Sequence, residues 1–261
     1  MKLLILLFSF QLLFGATPEQ IEEYISVSSA EEELLQLQSQ FSAMQNGFSK
    51  DANSSEETYD MQLLTVRFKE YLERSLSESE MHEVLENYKN VVYLQFVTNM
   101  MYVPDKNETD AYLFTLEEDE TLKERLDILE DISKVLNKEK SMAVMFDELM
   151  LPLLKSAQGA NTLNEDILKQ GRTAYLKSMA KNARRDTLFN LKEFSIEELE
   201  ALREVVKNSA TNHETKAVYS ATAYSLKEFF LSLASRYDVS KHDPSKYSNT
   251  SQDTNKTENT K

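Results

Sequence analysis

Glycine and proline, the residues that make tight turns, are so scarce in this chain that a β-sheet fold is excluded. Only four of each occur among 261 residues, whereas a sandwich or a barrel needs a turn every 8 to 12 residues or so. Apolar residues recur instead every three or four positions, which is the spacing of a helix with one buried face. The sequence therefore predicts an all-α fold of packed antiparallel helices.

The helical pattern divides into segments whose ends carry capping or breaking residues. The predicted segments are 18–44, 56–74, 78–102, 116–136, 141–156, 163–191 and 196–237. We expect a break at Ser28-Ser29, an end before Pro104 and a kink or an end at Pro152, because proline lacks an amide hydrogen and disfavours helix before it. The tail 238–261 is almost wholly polar, so it cannot offset its ordering entropy and is predicted to be disordered.

The first 16 residues have the three zones of a secretory signal peptide. Lys2 supplies a cation, an apolar run extends from Leu3 to Phe14, and the small residues Gly15 and Ala16 follow. The run is shorter than the roughly 20 residues that span a bilayer as a helix. We predict cleavage after Ala16, with Gly15 as the alternative, and export to the bacterial periplasm. An uncleaved membrane anchor is the competing interpretation, and membrane contact is expected only through the uncleaved precursor.

Charge and cysteine content narrow the functional classes. The formal net charge is −15, which argues against nucleic acid as a partner and against electrostatic docking on anionic lipid. Cysteine is absent, so stability must come from the core and not from disulfides.

Two helix starts, offset by 118 residues, align without gaps. Leu76–Asn90 reads LSESEMHEVLENYKN and Phe194–Asn208 reads FSIEELEALREVVKN, and both contain Ser-x-x-Glu, the signature of a capping box. The hypothesis is two related helical units, 17–104 and 116–237, joined by a linker at 105–115 and preceded by the signal peptide 1–16. The alternative is that any two amphipathic helices with capping boxes align in this way.

These stretches, together with EEYISVSSAEEELLQLQSQFSAMQ from Glu22 onward, resemble a family of uncharacterised secreted bacterial helical domains. Such domains open with a leucine- and glutamine-rich helix and later carry an aromatic-Ser/Thr-x-x-Glu-Leu helix start, which Phe194–Leu199 supplies. The family's Pro-x-Gly turn is missing, since Asn90-Val91 and Asn208-Ser209 stand in its place. The resemblance implies a compact envelope domain in two divergent copies, without an established activity.

Motifs for chemistry are not found, so we predict no catalytic residues, no cofactor and no metal site. The three histidines lack metal-ligand spacing, and neither a nucleophile elbow nor a phosphate-binding glycine loop occurs. The acids Glu117–Glu120 are interpreted as a helix start, where carboxylates favour the helix dipole. Methionine- and tyrosine-rich faces, such as Met100-Met101-Tyr102, are interpreted as core, with a cavity between helices as the alternative.

A basic stripe on one predicted helix stands out in this acidic chain. Lys177, Lys181 and Arg184 recur at i, i+4 and i+7 and so lie on one face. They form a candidate interaction face for an acidic partner or for lipid head groups. The competing interpretation is pairing with acidic neighbours inside the fold.

Three sequons of the form Asp-x-Asn-x-Ser/Thr occur outside the predicted helices. They centre on Asn53, Asn107 and Asn255, with Asp51, Asp105 and Asp253 two residues earlier. This pattern resembles the acceptor sequence of periplasmic N-glycosylation in ε-proteobacterial systems, which makes the N-glycosylation machinery an expected partner. The alternative is that these residue types gather in loops because they all favour turns.

From these observations we expect a non-enzymatic, N-glycosylated protein of the periplasm with an interaction or scaffolding role toward another envelope protein. The first alternative is a helical carrier or holdase that binds an apolar ligand or unfolded chains in a methionine- and tyrosine-lined groove. The second is an envelope hydrolase, which would need two carboxylates facing each other across a cleft.

Overall fold

The computed structural model describes residues 15–48, 59–102, 104–157 and 159–234, with the backbone alone at 44–48 and 162. Within these ranges the regular structure is entirely helical, which confirms the prediction of an all-α fold. The helices are α1 Pro18–Val27, α2 Ala30–Phe48, α3 Leu63–Ser75, α4 Glu78–Asn87, α5 Val91–Met100, α6 Lys106–Glu118, α7 Lys123–Leu136, α8 Glu139–Met145, α9 Leu151–Ser156, α10 Glu165–Asn190, α11 Ile196–Val206 and α12 Ser209–Leu233. The predicted signal peptide before Gly15 and the predicted disordered tail lie outside the described residues.

The break predicted at Ser28-Ser29 is confirmed, because α1 ends at Val27 and α2 begins at Ala30. Ser29 has φ 59°, in the left-handed region that residues other than glycine seldom adopt. The helical conformation is therefore interrupted between α1 and α2. Within the described range of α2, Ala30 and Leu34 are its buried side chains.

Three predicted helices are each divided in the structure. Segment 78–102 forms α4 and α5, because the Asn90 side chain accepts hydrogen bonds from the amides of Val92 and Tyr93 and starts a new helix. Asn208 starts α12 in the same way, which divides 196–237. Segment 116–136 is divided at Asp119, whose carboxylate accepts a hydrogen bond from the amide of Thr121. Glu117 and Glu118 therefore end α6, whereas Asp119 caps and Glu120 begins the short 3-10 turn Glu120–Leu122 that leads into α7.

The aligned stretches fold alike. Ser77 and Ser195 each form a complete capping box with the glutamate three residues later. Each helix is followed by a Lys-Asn pair whose asparagine caps the next helix. The local plan is therefore the same at both places, while superposition of the two units over their neighbouring helices stays a prediction.

The predicted linker 105–115 is wrong, because most of it belongs to α6, Lys106–Glu118. The separation into two units also has no counterpart in the packing. One continuous hydrophobic core contains buried side chains from both predicted units, among them Leu64, Met81, Leu129 and Phe229.

Helix α12 lies at the centre of this core. It packs against α3 and α4 from the first half of the chain and against α8 from the second. Its buried positions include Ala210, Ala217, Ala221 and Ala223, small residues that let neighbouring helices approach closely. None of the helices in the described ranges is long and apolar enough to cross a membrane.

The segment just before α1 packs on the start of α4, next to the predicted cleavage site. Ala16 is buried, and its amide donates a 2.7 Å hydrogen bond to the carbonyl of Leu76. A side chain at Gly15 would meet the carbonyl oxygen of Glu73 at 2.0 Å, so the backbone approach there requires glycine.

We therefore expect a recombinant chain that begins at Thr17 to be less stable than one that begins at Ala16. The shorter chain loses a buried methyl group and one hydrogen bond, which together amount to about 1–2 kcal/mol. Urea unfolding of both chains, followed by circular dichroism, measures the difference. Equal unfolding midpoints would show that Ala16 contributes nothing to the fold.

Candidate functional site

The least expected feature of the core is a buried carboxylate, Glu214 on α12, which is 7% exposed. Its Oε1 accepts hydrogen bonds from the hydroxyl of Tyr24 at 3.1 Å and from the hydroxyl of Tyr88. Its Oε2 accepts a third from the hydroxyl of Tyr93 at 3.0 Å. Three hydroxyl donors thus meet one carboxylate inside an apolar core.

The three tyrosines come from elements far apart in the sequence. Tyr24 lies on α1, Tyr88 caps the end of α4, and Tyr93 lies in the first turn of α5. Their rings contact edge to face, with centroids 5.9 Å apart for Tyr24 and Tyr88 and 5.2 Å apart for Tyr88 and Tyr93. This arrangement of the rings is favourable and fixes the positions of the hydroxyls.

A second polar network lies next to the site, at the start of α12. The Asn87 side chain donates to Thr211 Oγ1 at 3.2 Å and accepts from the side chain of Asn208 at 2.7 Å. Asn208 also accepts from the amide of Thr211 as the cap of α12. These bonds fix the first turn of α12, and Glu214 follows directly after that turn.

Protonation at the site is governed by burial. Burial raises the pKa of the Glu214 carboxyl above its ordinary value, while the hydrogen bonds from the three hydroxyls act in the opposite direction. Burial, and after it nearby negative charge, raises the pKa of Tyr24, Tyr88 and Tyr93 well above the usual value near 10. The hydroxyls are therefore protonated donors at neutral pH.

A partly open cavity of about 260 Å³ borders this cluster. Helix α2 lies along one side and contributes Ala30, Leu34 and Leu37. The opposite sides come from α5 and α12, with Phe96, Val97, Met100, Val218 and Thr222 in the lining. Apolar and tyrosine side chains thus make up most of the lining, and the rest is polar, with Ser28, Asn137, Thr187, Thr211, Thr215 and Thr222 besides the two acids Glu33 and Glu214.

Charge in the lining has one sign. Glu214 lies at the inner end and Glu33 of α2 is exposed, and the lining includes no lysine, arginine or histidine. Ser28 also lines the cavity, and its buried hydroxyl has no hydrogen-bond partner among the described residues. The cavity therefore combines negative charge with an unused polar group.

A larger hollow, about 930 Å³, lies where Gly15–Pro18 approach the end of α3 and the start of α4. It adjoins the chain before Gly15, which lies outside the described residues, so its extent is not defined by the described part. The cavity beside Glu214 is bounded by described helices, and we take it as the candidate site.

The predicted basic face does not form as one surface. Arg184 pairs with Glu130 at 2.5 Å and with Glu117 at 2.8 Å, which agrees with the competing interpretation. Lys177 and Lys181 are exposed, and no ion pair joins them to another described residue. Arg184 is therefore paired within the fold although its side chain is 35% exposed, and the role of these three residues as an interaction face stays a prediction.

The sequon at Asn107 begins a helix. Asp105 caps α6 by accepting from the amides of Asn107 and Glu108 at 2.8 and 3.1 Å. Thr109 is buried, and its hydroxyl donates to the Asp105 carbonyl at 2.7 Å. The residues of this sequon thus have a structural reason to occur together, although the Asn107 side chain is exposed. Asn53 and Asn255 lie outside the described residues.

Sequence reasoning missed Glu214, because the stretch Asn208–Thr215 reads as a polar interval in a long helix. The signal that could have drawn attention to it is the position of the acid on α12, four residues after Ala210 and three before Ala217, which share its buried face.

Among the residues described, no three histidine, aspartate or glutamate side chains are grouped as a metal site would require.

Comparison with known proteins adds no relative to this description. No family model matches the chain, and neither a curated protein nor a solved structure is found to be similar to it.

Proposed function

We propose that this protein is an exported, non-enzymatic binding protein of the bacterial envelope, which holds a small and largely apolar ligand in the cavity beside Glu214. The observation that carries the proposal is the cavity itself: an apolar lining with a few convergent polar groups is the usual make-up of a ligand site. This is the carrier alternative that the sequence left open.

The volume sets the size of the ligand. A cavity of about 150 Å³ takes up benzene, so about 260 Å³ suits a molecule of about ten non-hydrogen atoms. Such a volume is too small for a segment of unfolded chain, which favours a small-molecule carrier over a holdase.

The geometry at Glu214 favours binding over catalysis. Both of its oxygens already accept hydrogen bonds from tyrosine hydroxyls, so the carboxylate is held in a fixed position within the core. A hydrolase of the glycosidase type needs two carboxylates that face each other inside a cleft, whereas Glu33, the other acid of the lining, is exposed to solvent.

A scaffolding role has less support from the surface. The apolar side chains with the largest exposure, Val91 at 76% and Phe114 at 68%, lie on different helices, α5 and α6. Single exposed apolar residues are normal for a soluble surface. The basic stripe is also less available to an acidic partner, because Arg184 already pairs with Glu117 and Glu130.

A binding titration with a matched pair of variants tests the proposed function. The ligands are naphthalene, 2-phenylethanol, 2-phenylethylamine and 3-phenylpropanoate, whose sizes are close to the estimated limit. Val218→Phe fills the cavity, and Val66→Phe makes the same change on α3, where Val66 is 50% exposed and outside the lining.

At least one ligand is expected to bind the wild-type protein, and Val218→Phe is expected to weaken that binding by about ten-fold or more, since the added ring occupies the ligand's space. Val66→Phe should leave it unchanged. Calorimetry gives the affinities. If none of the four ligands binds, or if both variants bind as the wild type does, the proposed function is wrong.

Export and N-glycosylation belong to the same proposal. In the native host we expect the chain to carry glycan on at least one of Asn53, Asn107 and Asn255. At Asn107 the acid required for recognition is also the cap of α6, so the substitution must separate the two roles. Asp105→Ser removes the acid and keeps a good capping side chain.

Asp105→Ser is therefore expected to abolish any glycan at Asn107 while the melting temperature changes little. Intact mass and glycopeptide mapping of the periplasmic protein measure occupancy, and Asp110→Ser serves as the matched control in the same helix. A periplasmic mass equal to that of the bare chain contradicts the modification, and glycan that persists at Asn107 in Asp105→Ser contradicts the acidic signal.

A further inference from the structure

Resting on the proposed function, we infer that the ligand is a small organic cation, an ammonium group on a short apolar or aromatic body, with the ammonium placed beside Glu214. The inference names the chemical class of the ligand and not only its size. It follows from the charge of the lining, from the aromatic rings around Glu214 and from the unused hydroxyl of Ser28.

The first argument is charge. A buried carboxylate is costly because its charge loses hydration, and a nearby cation compensates that charge more directly than neutral hydrogen-bond donors do. Other acids of the fold have a basic partner, for example Asp147, which pairs with Arg172. Glu214 has only hydroxyl partners, and no basic residue lines its cavity. An ammonium ligand would supply the missing positive charge.

The second argument is the aromatic character of the same region. The rings of Tyr24, Tyr88, Tyr93 and Phe96 all line the cavity. They form a continuous series of ring contacts, which ends with Tyr93 and Phe96 at 5.6 Å between centroids. Aromatic rings attract cations through their quadrupoles, and such rings recognise alkylated ammonium groups in particular.

The third argument is hydrogen bonding. An ammonium group offers up to three donors and no acceptor. Glu214 is an acceptor, and the buried Ser28 hydroxyl lacks a partner among the described residues although it lines the same cavity. Thr215 also contributes a hydroxyl to the lining. The polar groups of the cavity can therefore serve a donor-rich ligand.

The body of the ligand would lie against the remaining apolar lining. Leu34 and Leu37 of α2 and Val97 and Met100 of α5 supply that surface. The exposed carboxylate of Glu33 adds negative charge on the side of α2 and would attract a cation during association. An anionic ligand would be repelled by both acids.

Two ligands of equal size and a slightly larger anion test the contribution of charge. The probes are 2-phenylethylamine, which is cationic at neutral pH, the neutral 2-phenylethanol and the anionic 3-phenylpropanoate. We expect the amine to bind the wild-type protein about ten-fold more tightly than the alcohol, and the anion to bind most weakly. Isothermal titration calorimetry of the purified full chain gives the three constants.

Variants then locate the charge effect. Glu214→Gln keeps the shape of the side chain and is expected to remove most of the preference for the amine. Glu33→Gln, on the exposed surface, should reduce it by about two- to three-fold without risk to the fold. Glu83→Gln makes the same change on an exposed position of α4 outside the lining and should leave all constants unchanged.

The outcomes separate this inference from the proposed function. The inference of a cationic ligand is wrong if 2-phenylethanol binds the wild type as tightly as the amine, or if Glu214→Gln folds and keeps the full preference for the amine. The proposed function would survive either result, because the cavity would still bind a small molecule. If no probe binds at all, the proposed function fails with it. Should Glu214→Gln not fold, the ligand series in the wild type and in Glu33→Gln still decides between cation and neutral molecule.

Discussion

Replacing Glu214 with alanine is expected to lower the free energy of unfolding by about 3 kcal/mol or more. The substitution removes the acceptor for the hydroxyls of Tyr24, Tyr88 and Tyr93, and each buried donor left unpaired costs about 1–3 kcal/mol. Relief of the buried charge offsets part of this loss. Urea unfolding measured at pH 7 gives the value. Glu83→Ala, at an exposed position of α4, is the control, and its free energy of unfolding is expected to change by about 0.5 kcal/mol or less.

Glu214→Gln separates the charge from the hydrogen bonds. Because burial raises the folded-state pKa of Glu214 above the unfolded value, the protonated carboxyl contributes stability below the unfolded pKa. That contribution is lost as the pH rises through the folded pKa. Relative to Glu214→Gln, the wild type is therefore expected to lose stability as the pH rises from about 4 toward 7.

The difference between the wild type and Glu214→Gln reports on Glu214 because the neighbouring titratable groups are the same in both proteins. The titratable groups that contact Glu214 are the three tyrosines, whose pKa is raised, and Glu33 lines the same cavity and is present in both proteins. His213, the neighbour in sequence, pairs with Glu80 at 3.1 Å and is retained in both. Parallel stability curves for the wild type and Glu214→Gln would show that Glu214 keeps one charge state throughout.

Several helix boundaries were predictable because the residues that determine them are adjacent in sequence. The capping boxes of Ser77 and Ser195 follow from Ser-x-x-Glu, and the break at Ser28-Ser29 was expected. The division at Asn90 was missed because the apolar period of the segment continues across it. Asparagine is a strong helix cap, so the Lys-Asn pair in both aligned stretches was the available signal.

The site was not predictable because it depends on contacts between distant segments. Tyr24, Tyr88 and Tyr93 lie 190, 126 and 121 positions from Glu214. Each residue looks ordinary in its own segment: the tyrosines resemble amphipathic core residues and the glutamate a surface acid. Only the packing of α1, α4 and α5 on α12 shows that they meet, and no local pattern encodes that packing.

The segment at 105–115 shows the opposite error, in which a local pattern was assigned the wrong structure. Asp105, Asn107 and Thr109 were interpreted as an open linker because these residue types favour turns. The same types favour helix N-termini, and Asp105 acts there as the cap of α6. In the structure Thr109 is a buried residue of α6 and not part of an open linker. Its burial depends on tertiary contacts, which the local sequence does not show.

Helix α2 is expected to separate from the rest of the fold in Leu34→Asp. Among the described side chains of α2, Leu34 is 2% exposed, and Phe41 packs on Phe229 and Phe230 with centroids 5.0 and 5.7 Å apart. A charge at Leu34 cannot stay buried without a partner. Ser29, with its left-handed backbone conformation, separates α2 from α1, so we expect α1 to keep its position when α2 separates.

Hydrogen exchange followed by mass spectrometry measures this separation. In Leu34→Asp the amides of α2 are expected to exchange about 100-fold faster than in the wild type, while those of α3, α4 and α12 change little. Leu35→Asp is the matched control, since the neighbouring Leu35 is 57% exposed. Because α2 covers the cavity beside Glu214, Leu34→Asp should also weaken ligand binding, and Leu35→Asp should not. Faster exchange in all helices together would mean that α2 unfolds only with the core, and the cavity would then be closed by a fixed part of the structure.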